Sequence, residues 1–440
     1  MKVAVVGAGY VGLVTAAGLS EFGFDVICID KEAHKVECLR QGEIPIHEPG
    51  LDGLVLANRR AGRLDFSDDV MGAVRGAGVV FIAVGTPSRR GEDAADLAFV
   101  RAAAEQIGRA MDGFTVVVTK STVPVGTARM LEQLIRDVRP DADFEMASNP
   151  EFLREGSAVE DFLRPDRIVV GLSAARARER MSELYRPLML RDVPVLFTTF
   201  ETAELIKYAA NAYLATRIGF INEMADLCEA VGADVAAVTR GMGLDRRIGL
   251  HYLQPGPGFG GSCFPKDTRA LASIARQAGS RAKIVEAVID SNNLRKESLA
   301  ERIAQAVGGD VRGKRVAVLG VSFKAETDDL REAASLAVIP ALQRAGANIA
   351  AYDPVAVAAA RQLLSQVEWC EDAYETAKNA DAIVVLTEWN EFRGLDLWRL
   401  AAQMREPVLI DLRNIYSAGD VAKTPFIYHS IGRPTVVPGG

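Results

Sequence analysis

The hexapeptide Gly7-Ala-Gly9-Tyr-Val-Gly12 directly follows the apolar run Val3–Val6 and opens a segment of helical character. That order constrains the chain more than anything else in it. The first glycine allows a tight turn out of a strand, and the second lets backbone approach a pyrophosphate. The third lets helix and strand pack closely, with the anion on the helix N-terminus. Asp30 ends the next apolar run, Val26–Ile29. A carboxylate there accepts from ribose hydroxyls and repels a 2′-phosphate, which predicts NAD rather than NADP. A glycine-rich strand turn without a ligand is the alternative. Lys35, one helical turn beyond the acid, either contacts the same ribose or is solvated.

Strand-like bursts at Val3–Val6, Val26–Ile29, Val79–Val84, Thr115–Thr119 and Arg167–Gly171 alternate with helical stretches, the rhythm of a parallel sheet. Val84-Gly-Thr-Pro87 and Lys120-Ser-Thr-Val-Pro124 each end a strand, at the carboxyl edge where such sheets bind ligands; turn chemistry explains their Gly and Pro equally well. A long helical pattern, Ala203–Val231, follows, with Thr198 and Glu201 spaced as a capping box and Gly232 closing it. Its apolar residues exceed one face, which predicts burial by neighbouring domains or by another subunit. The βα rhythm restarts near residue 313, where Arg315–Gly320, Ile349–Asp353 and Ala382–Leu386 repeat the opening. The expected fold is α/β. Two Rossmann-like parallel-sheet domains, residues 1–198 and 301–440, are joined by a long central helix and a helical middle domain, residues 199–300. The tail 430–440, with two prolines and a terminal Gly-Gly, is expected to be mobile.

Composition removes several functions. Lys and Arg number 51 against 58 Asp and Glu, a net charge of −7 with no dense basic stripe, which argues against a nucleic-acid partner. Cys28, Cys38, Cys228, Cys263 and Cys370 are scattered without a CxxC pair, and the four histidines are equally dispersed. That pattern predicts neither a disulfide framework nor a metal site, and points to a reducing compartment. No apolar run is long enough to span a bilayer, and the stretch Val3–Leu19 has its glycines where a nucleotide loop needs them rather than the form of a signal peptide. No membrane partner and a cytoplasmic location are expected.

The segment Pro255–Asp267 holds four glycines and three prolines, so it forms a shaped loop rather than a helix or strand. Cys263 stands in it with Lys266 and Asp267 close behind. A thiol titrates near ~8.5 and a cationic neighbour lowers that, giving a thiolate nucleophile. The other four cysteines read as small buried hydrophobes. Lys207 and Asn211, four apart, share one face of the long helix. A polar pair on an apolar helix needs a partner when buried, which a substrate oxygen would supply; a capped or solvated pair is the other reading.

GAGYVG, the Pro45–Leu51 segment with EPGL, VGTPS, KSTVPVGT, SNPEFLREG, ELIKYAANAYL, GFGGSCFPKD, FKAETDDLRE and DLRN follow one another across nearly all 440 residues. On these motifs the chain resembles the nucleotide-sugar 6-dehydrogenases of the UDP-glucose/GDP-mannose dehydrogenase family. The resemblance implies NAD-dependent four-electron oxidation of UDP-glucose to UDP-glucuronate, with two NAD reduced in succession and a thiohemiacetal and thioester on Cys263. It implies that Lys207 stabilises oxyanions, Asn211 positions the sugar, and Asp267, Thr122 and Glu151 hold waters or move protons, Glu151 in thioester hydrolysis. For the cofactor it carries over Gly7, Gly9, Val11, Gly12, Asp30, Lys35, Thr86, Thr122, Glu155, Lys266 and Arg331. For the nucleotide sugar it carries over Glu151, Phe152, Leu153, Arg154, Lys207, Asn211, Arg247, Tyr252, Leu253, Gln254, Pro255, Gly256, Gly260, Lys324 and Arg413. Arg247 and Lys324 would neutralise the diphosphate, and in the family the counterpart of Arg247 can come from the neighbouring subunit. A homodimer or higher homo-oligomer is implied, and no metal.

After Lys324 the chain departs from the family's usual pattern, with Ala325-Glu326 and Arg331-Glu-Ala-Ala-Ser. Relatives acting on GDP-mannose usually read Leu where Phe264 stands, and GDP-mannose or a UDP-N-acetylhexosamine is the rival substrate. β-Hydroxyacid dehydrogenases also pair an NAD domain with a Lys-x-x-x-Asn helix, but need neither the cysteine nor a second nucleotide domain. A silent NAD-sensing protein would have lost Cys263, Lys207 or Asp267.

Overall fold

The computed structural model describes residues 1–87 and 95–438. Its backbone forms two compact units, one of Met1–Ala210 with Ser273–Ser280, the other of Asn211–Ala272 with Arg281–Gly440.

The first unit is built on eight strands: β1 (Lys2–Val6), β2 (Asp25–Ile29), β3 (Leu64–Ser67), β4 (Val79–Ile82), β5 (Thr115–Thr119), β6 (Phe144–Ser148), β7 (Ile168–Leu172) and β8 (Val195–Thr198). They lie in the order β3-β2-β1-β4-β5-β6-β7-β8, all pairs parallel except β6 with β7. The order reverses between β1 and β4, and at such a switch point ligands meet the carboxyl ends of the strands. Helices cover both faces, so the strands are apolar throughout rather than alternating; every residue of β4 is closed to solvent. The helix Tyr10–Glu21 is buried along most of its length, and Gly18 leaves room for the ring of Phe162, which a Cβ there would meet at 2.1 Å.

The second unit repeats the plan with β9 (Arg315–Leu319), β10 (Asn348–Tyr352), β11 (Val367–Trp369), β12 (Ala382–Val385), β13 (Val408–Asp411) and β14 (Ile427–Ser430). All are parallel, in the order β11-β10-β9-β12-β13-β14. Ile221, Ala225, Leu299 and Ile303 join Val316, Val318 and Ile410 in its core. The two sheets match in detail. Gly7 follows β1 with φ +108° and donates to Ile29; Gly320 follows β9 with φ +84° and donates to Tyr352. Asp30, after β2, accepts from the loop amide of Ala8 at 3.0 Å. Its counterpart Asp353, after β10, accepts from Val321 at 2.7 Å, Ser322 at 3.1 Å and the Trp389 indole at 3.3 Å.

Three local expectations change. The long helix runs Phe200–Val231, and Thr199, not Thr198, caps it by accepting from the Thr202 amide at 3.3 Å. Glu201 turns outward to Arg129 instead of closing a capping box, because an exposed guanidinium is there to take it. Gly232 does end the helix, at φ +75°, with Ala233 N donating to Cys228 O. Finally, the tail is held as far as it is described. Ile431 is wholly buried, Gly432 N donates to Glu229 at 2.6 Å, and Val436 pairs with Tyr428. Residues 439 and 440 lie outside the described residues. No helix among the described residues is long and apolar enough to cross a membrane.

Candidate active site

In the first unit, the loops after β1, β2, β4, β5 and β6 converge at the carboxyl edge. The three glycines have separate reasons. A Cβ on Gly7 would meet Ala83 O at 2.6 Å and one on Gly12 would meet Gly7 O at 1.7 Å, whereas one on Gly9 would meet nothing within 4 Å. Gly7 and Gly12 are thus required by packing, and Gly9 faces open space on the side where a pyrophosphate approaches backbone. Asp30 is partly buried, which alone would raise its pKa. Bonds from Lys35 Nζ at 2.9 Å, Glu32 N and Ala8 N outweigh that and hold the carboxyl below its ordinary value. Lys35 is therefore neither simply solvated nor free: it braces the acid. Val11 stands half-buried in the first turn of the helix. These residues fit the adenosine and pyrophosphate of NAD. Thr86, after β4, donates to the carbonyl of Thr122, after β5, at 3.0 Å, which joins the two loops.

The loop after β6 carries Glu151, Phe152, Leu153, Arg154 and Glu155. Glu151 is buried; Lys207 Nζ lies 3.0 Å from its Oε1, and Leu153 N donates to its Oε2 at 2.6 Å. Two cations lie over the Phe152 ring, Arg167 at 3.7 Å and Lys207 at 5.4 Å from its centroid. Arg154 pairs with Asp161. Two further buried groups, Lys120 and Glu204, lie inside the motifs KSTVPVGT and ELIKYAANAYL without a role of their own read from the sequence. Lys120 donates to Asn149 Oδ1 at 3.0 Å; burial, opposed by Glu151 and helped by Lys207, brings its ammonium down to about 8. Glu204, one turn before Lys207, accepts from Gly126 N at 2.6 Å and Ala128 N at 2.8 Å and so caps the helix Thr127–Val138 that follows the Thr122 loop. Burial outweighs both bonds and pushes its carboxyl up to about 7.

In the second unit the glycine-rich loop is shorter than expected: it ends at Cys263, and Phe264–Asp267 form the first turn of the helix Phe264–Gln277, where Pro265 needs no N–H partner and the Cys263 carbonyl accepts from Asp267 N. A helix start favours a negatively charged sulfur. The thiol is half-buried, 3.5 Å from Ser262 Oγ. Asp267 is wholly buried; Oδ2 accepts from Asn211 Nδ2 at 2.6 Å and Oδ1 from Lys266 Nζ. Lys266 thus spends its charge first on Asp267. The glycine-rich loop is clamped from helices far along the chain: Asn222 accepts from Gly256 N, Asn292 both accepts from and donates to Phe259, and Arg295 donates to Gly256 O. Gly260 and Gly261 are required by close approach, since a Cβ would meet Glu332 O at 2.5 Å and the Phe323 ring at 2.7 Å. The segment 323–332 is tied to this loop by Gly261 N donating to Arg331 O, and to the helix Lys283–Ala306 by buried Lys296 donating to Glu332 O.

Arg413, after β13, donates to Leu386 O and Phe323 O and lies 3.0 Å from Glu388, beside Gly256. Lys324 lies over Phe323, and Arg331 pairs with Asp329. Tyr252 adopts φ +60° with its ring edge-on to Phe264; Leu253 and Pro255 are buried, Gln254 exposed. The Arg247 guanidinium is exposed and bound to Asp245. Cys28, Cys228 and Cys370 are buried as expected, but Cys38 is half-exposed near His34, because its helix Ala33–Gln41 buries only Val36 and Leu39. No group of His, Cys, Asp or Glu among the described residues is placed to hold a metal ion.

Three family models cover the chain: the NAD binding domain of the UDP-glucose/GDP-mannose dehydrogenase family over residues 1–189, its central domain over 201–294, and its UDP binding domain over 317–418. A UDP-glucose 6-dehydrogenase of Rhizobium meliloti (strain 1021) is 55% identical over 436 residues, 99% of this chain and 100% of the relative. A UDP-glucose dehydrogenase structure from Pyrobaculum islandicum shares 37% identity at TM-score 0.90, with 98% of each chain covered. A UDP-D-ManNAc dehydrogenase structure from Pyrococcus horikoshii shares 26% at TM-score 0.86, covering 98% of this chain and 99% of that one.

Proposed function

The chain belongs to the UDP-glucose/GDP-mannose dehydrogenase family, and on that premise we propose that it oxidises C6 of UDP-glucose from alcohol to carboxylate. Two NAD molecules, bound one after the other, would each accept one hydride, the first in taking alcohol to aldehyde and the second in taking thiohemiacetal to thioester, with one proton released at each oxidation. The observation that carries the reading is the Cys263 thiol at a helix start, with wholly buried Asp267 on the first turn holding Asn211 and Lys266.

Between the oxidations, the Cys263 thiolate adds to the aldehyde; a C–S bond forms and the oxygen takes a proton. An aldehyde has no second hydride to give in usable form until something adds to it, and the covalent bond also stops its escape. After the second oxidation, water adds to the thioester carbonyl, the C–S bond breaks, and Cys263 leaves as thiolate. Lys207 stabilises oxyanions at C6, and Glu151 takes a proton from the attacking water. Asn211 orients the sugar, while Asp267 and Thr122 hold waters or relay protons. Gly7, Gly9, Val11, Gly12, Asp30, Lys35, Thr86, Thr122, Glu155, Lys266 and Arg331 serve the cofactor. The loop 252–256, Gly260, Phe152–Arg154, Lys324, Arg413 and Arg247 serve the nucleotide sugar, Arg247 from a neighbouring subunit.

Residues 1–198, 199–300 and 301–440 divide these tasks as NAD-binding, dimerising and UDP-sugar-binding parts. An apolar row at heptad spacing on the long helix, Tyr213, Phe220 and Leu227, is 42–61% exposed and supports a homodimer. Five free cysteines support a reducing, cytoplasmic setting. The 55% full-length relative favours UDP-glucose over GDP-mannose or UDP-N-acetylhexosamines, although the UDP-D-ManNAc enzyme shares the fold.

The test is stoichiometric: limiting UDP-glucose with excess NAD should yield two NADH per sugar and none with GDP-mannose. One NADH per sugar refutes the thiol relay, and silence with UDP-glucose moves the assignment to another nucleotide sugar.

A further inference from the structure

Glu48, in the Glu48-Pro-Gly-Leu51 segment, takes no part in the chemistry above, yet it is buried and both its oxygens are engaged. Oε1 accepts from Ala158 N at 2.7 Å and Val159 N at 3.4 Å. Oε2 accepts from Gly156 N at 2.7 Å and from the Tyr10 hydroxyl, whose oxygen in turn lies 3.1 Å from Gly156 N. A buried carboxylate is tolerated only where donors surround it. Here they come from two elements. One is the backbone that directly follows the Glu151–Glu155 loop; the other is Tyr10, next to Gly9 at the start of the dinucleotide helix. Burial first, then the bond to Glu48, raises the Tyr10 hydroxyl well above its ordinary value, so it remains a donor.

Further contacts repeat the join. Phe162, on the short helix Ala158–Leu163, packs over Gly18 and stacks on Phe22 at 5.9 Å, and Arg154 is held to the same short helix through Asp161. The carboxylate is presented from a firm mount: Gly50 turns at φ +81° into the helix Leu51–Arg60, whose first residue is wholly buried.

We propose that Glu48 is a positioning residue that ties the Glu151 loop to the start of the dinucleotide helix, and so sets Glu151 for release of the acyl group from Cys263. The proposal rests on the reading of Glu151 given above.

Glu48→Gln keeps size but turns an NH2 group against backbone N–H donors. In quenched-flow experiments, formation of two NADH should stay within about threefold of wild type, while steady turnover falls roughly tenfold or more, as expected for a misplaced general base. The Cys263 acyl adduct should then accumulate, read by intact mass after acid quench. Tyr10→Phe keeps the backbone bonds to Glu48 and cuts the hydroxyl's bonds to Glu48 and Gly156 N, which are the tie to the helix; it should slow release several-fold with NADH formation unchanged. It also carries the test if Glu48→Gln does not fold. Equal loss in both phases, or release at the wild-type rate in Tyr10→Phe, overturns the proposal. Glu151→Gln is the control. If it also lacks the adduct, the reading of Glu151 fails and this proposal with it; if only the Glu48 variant lacks the adduct, the proposal alone fails.

Discussion

Lys207 Nζ lies 3.0 Å from Glu151 Oε1, and the two side chains are 3% and 6% exposed. Each is the other's counter-ion in a place that water hardly reaches. Taking away one partner strands the other's charge, which costs far more than the pair itself contributes. Lys207→Ala should therefore lose about 3 kcal/mol of stability in urea unfolding, and its kcat should fall much more than KM rises. Lys207→Met combined with Glu151→Gln should recover much of the stability and none of the rate. A single variant as stable as wild type would contradict the buried pair, and a pure rise in KM would contradict the assigned role.

The three glycines of the first loop should separate by substitution. Gly9→Ala meets open space, so its melting temperature should stay near wild type while NAD affinity, read by calorimetry, drops at least about tenfold through a blocked pyrophosphate. Gly12→Ala drives a methyl into a backbone carbonyl and should cost 1–3 kcal/mol or more, roughly the range for overpacking. Equal melting temperatures would mean that the third glycine is not a packing requirement.

Cys263→Ser should block full turnover and leave UDP-glucose binding nearly intact, because a hydroxyl is a far weaker nucleophile at neutral pH. Unchanged NADH yield from that variant is the result that removes the cysteine from the mechanism.

Glu204 supplies the pH dependence. Its carboxyl stands at about 7 in the fold, raised from the ordinary 4.5, because burial disfavours its charge. A raised carboxyl adds stability that is fully present below pH 4.5 and is lost as the pH rises through 7. Relative to Glu204→Gln, which cannot titrate there, the wild type should lose about 2 kcal/mol between pH 5 and pH 8. Parallel urea titrations of the two proteins at both pH values measure it; a gap that does not change with pH would show that Glu204 is already charged.

Much of this architecture can be read along the chain because its signals are local. The turn after Val6, the acid after Ile29 and their echo at Gly320 and Asp353 each need only neighbours in sequence, and the cysteine loop declares itself by its glycines. The clamps do not. Asn222, Asn292 and Arg295 hold that loop from helices 33 or more residues away, and nothing beside them in sequence marks them as more than surface polar residues. Glu204 caps a helix 76 residues earlier, and Glu229 fixes Gly432 from 203 residues away. The proline-rich tail looks loose for the same reason: its anchors belong to other elements. Thr199 rather than Thr198 is the cap because the helix starts at Phe200, and Glu201 is taken by Arg129, distant in sequence.

Asp353 carries one more consequence. Where the first sheet leaves Gly9 open to an incoming anion, the second has already installed one: a carboxylate, part of the polypeptide, occupies both loop amides and the Trp389 indole. Asp30 takes one loop amide, that of Ala8, whereas Asp353 takes two, so at Ser322, the position that Gly9 holds in the first loop, the backbone donor is already satisfied from within the chain.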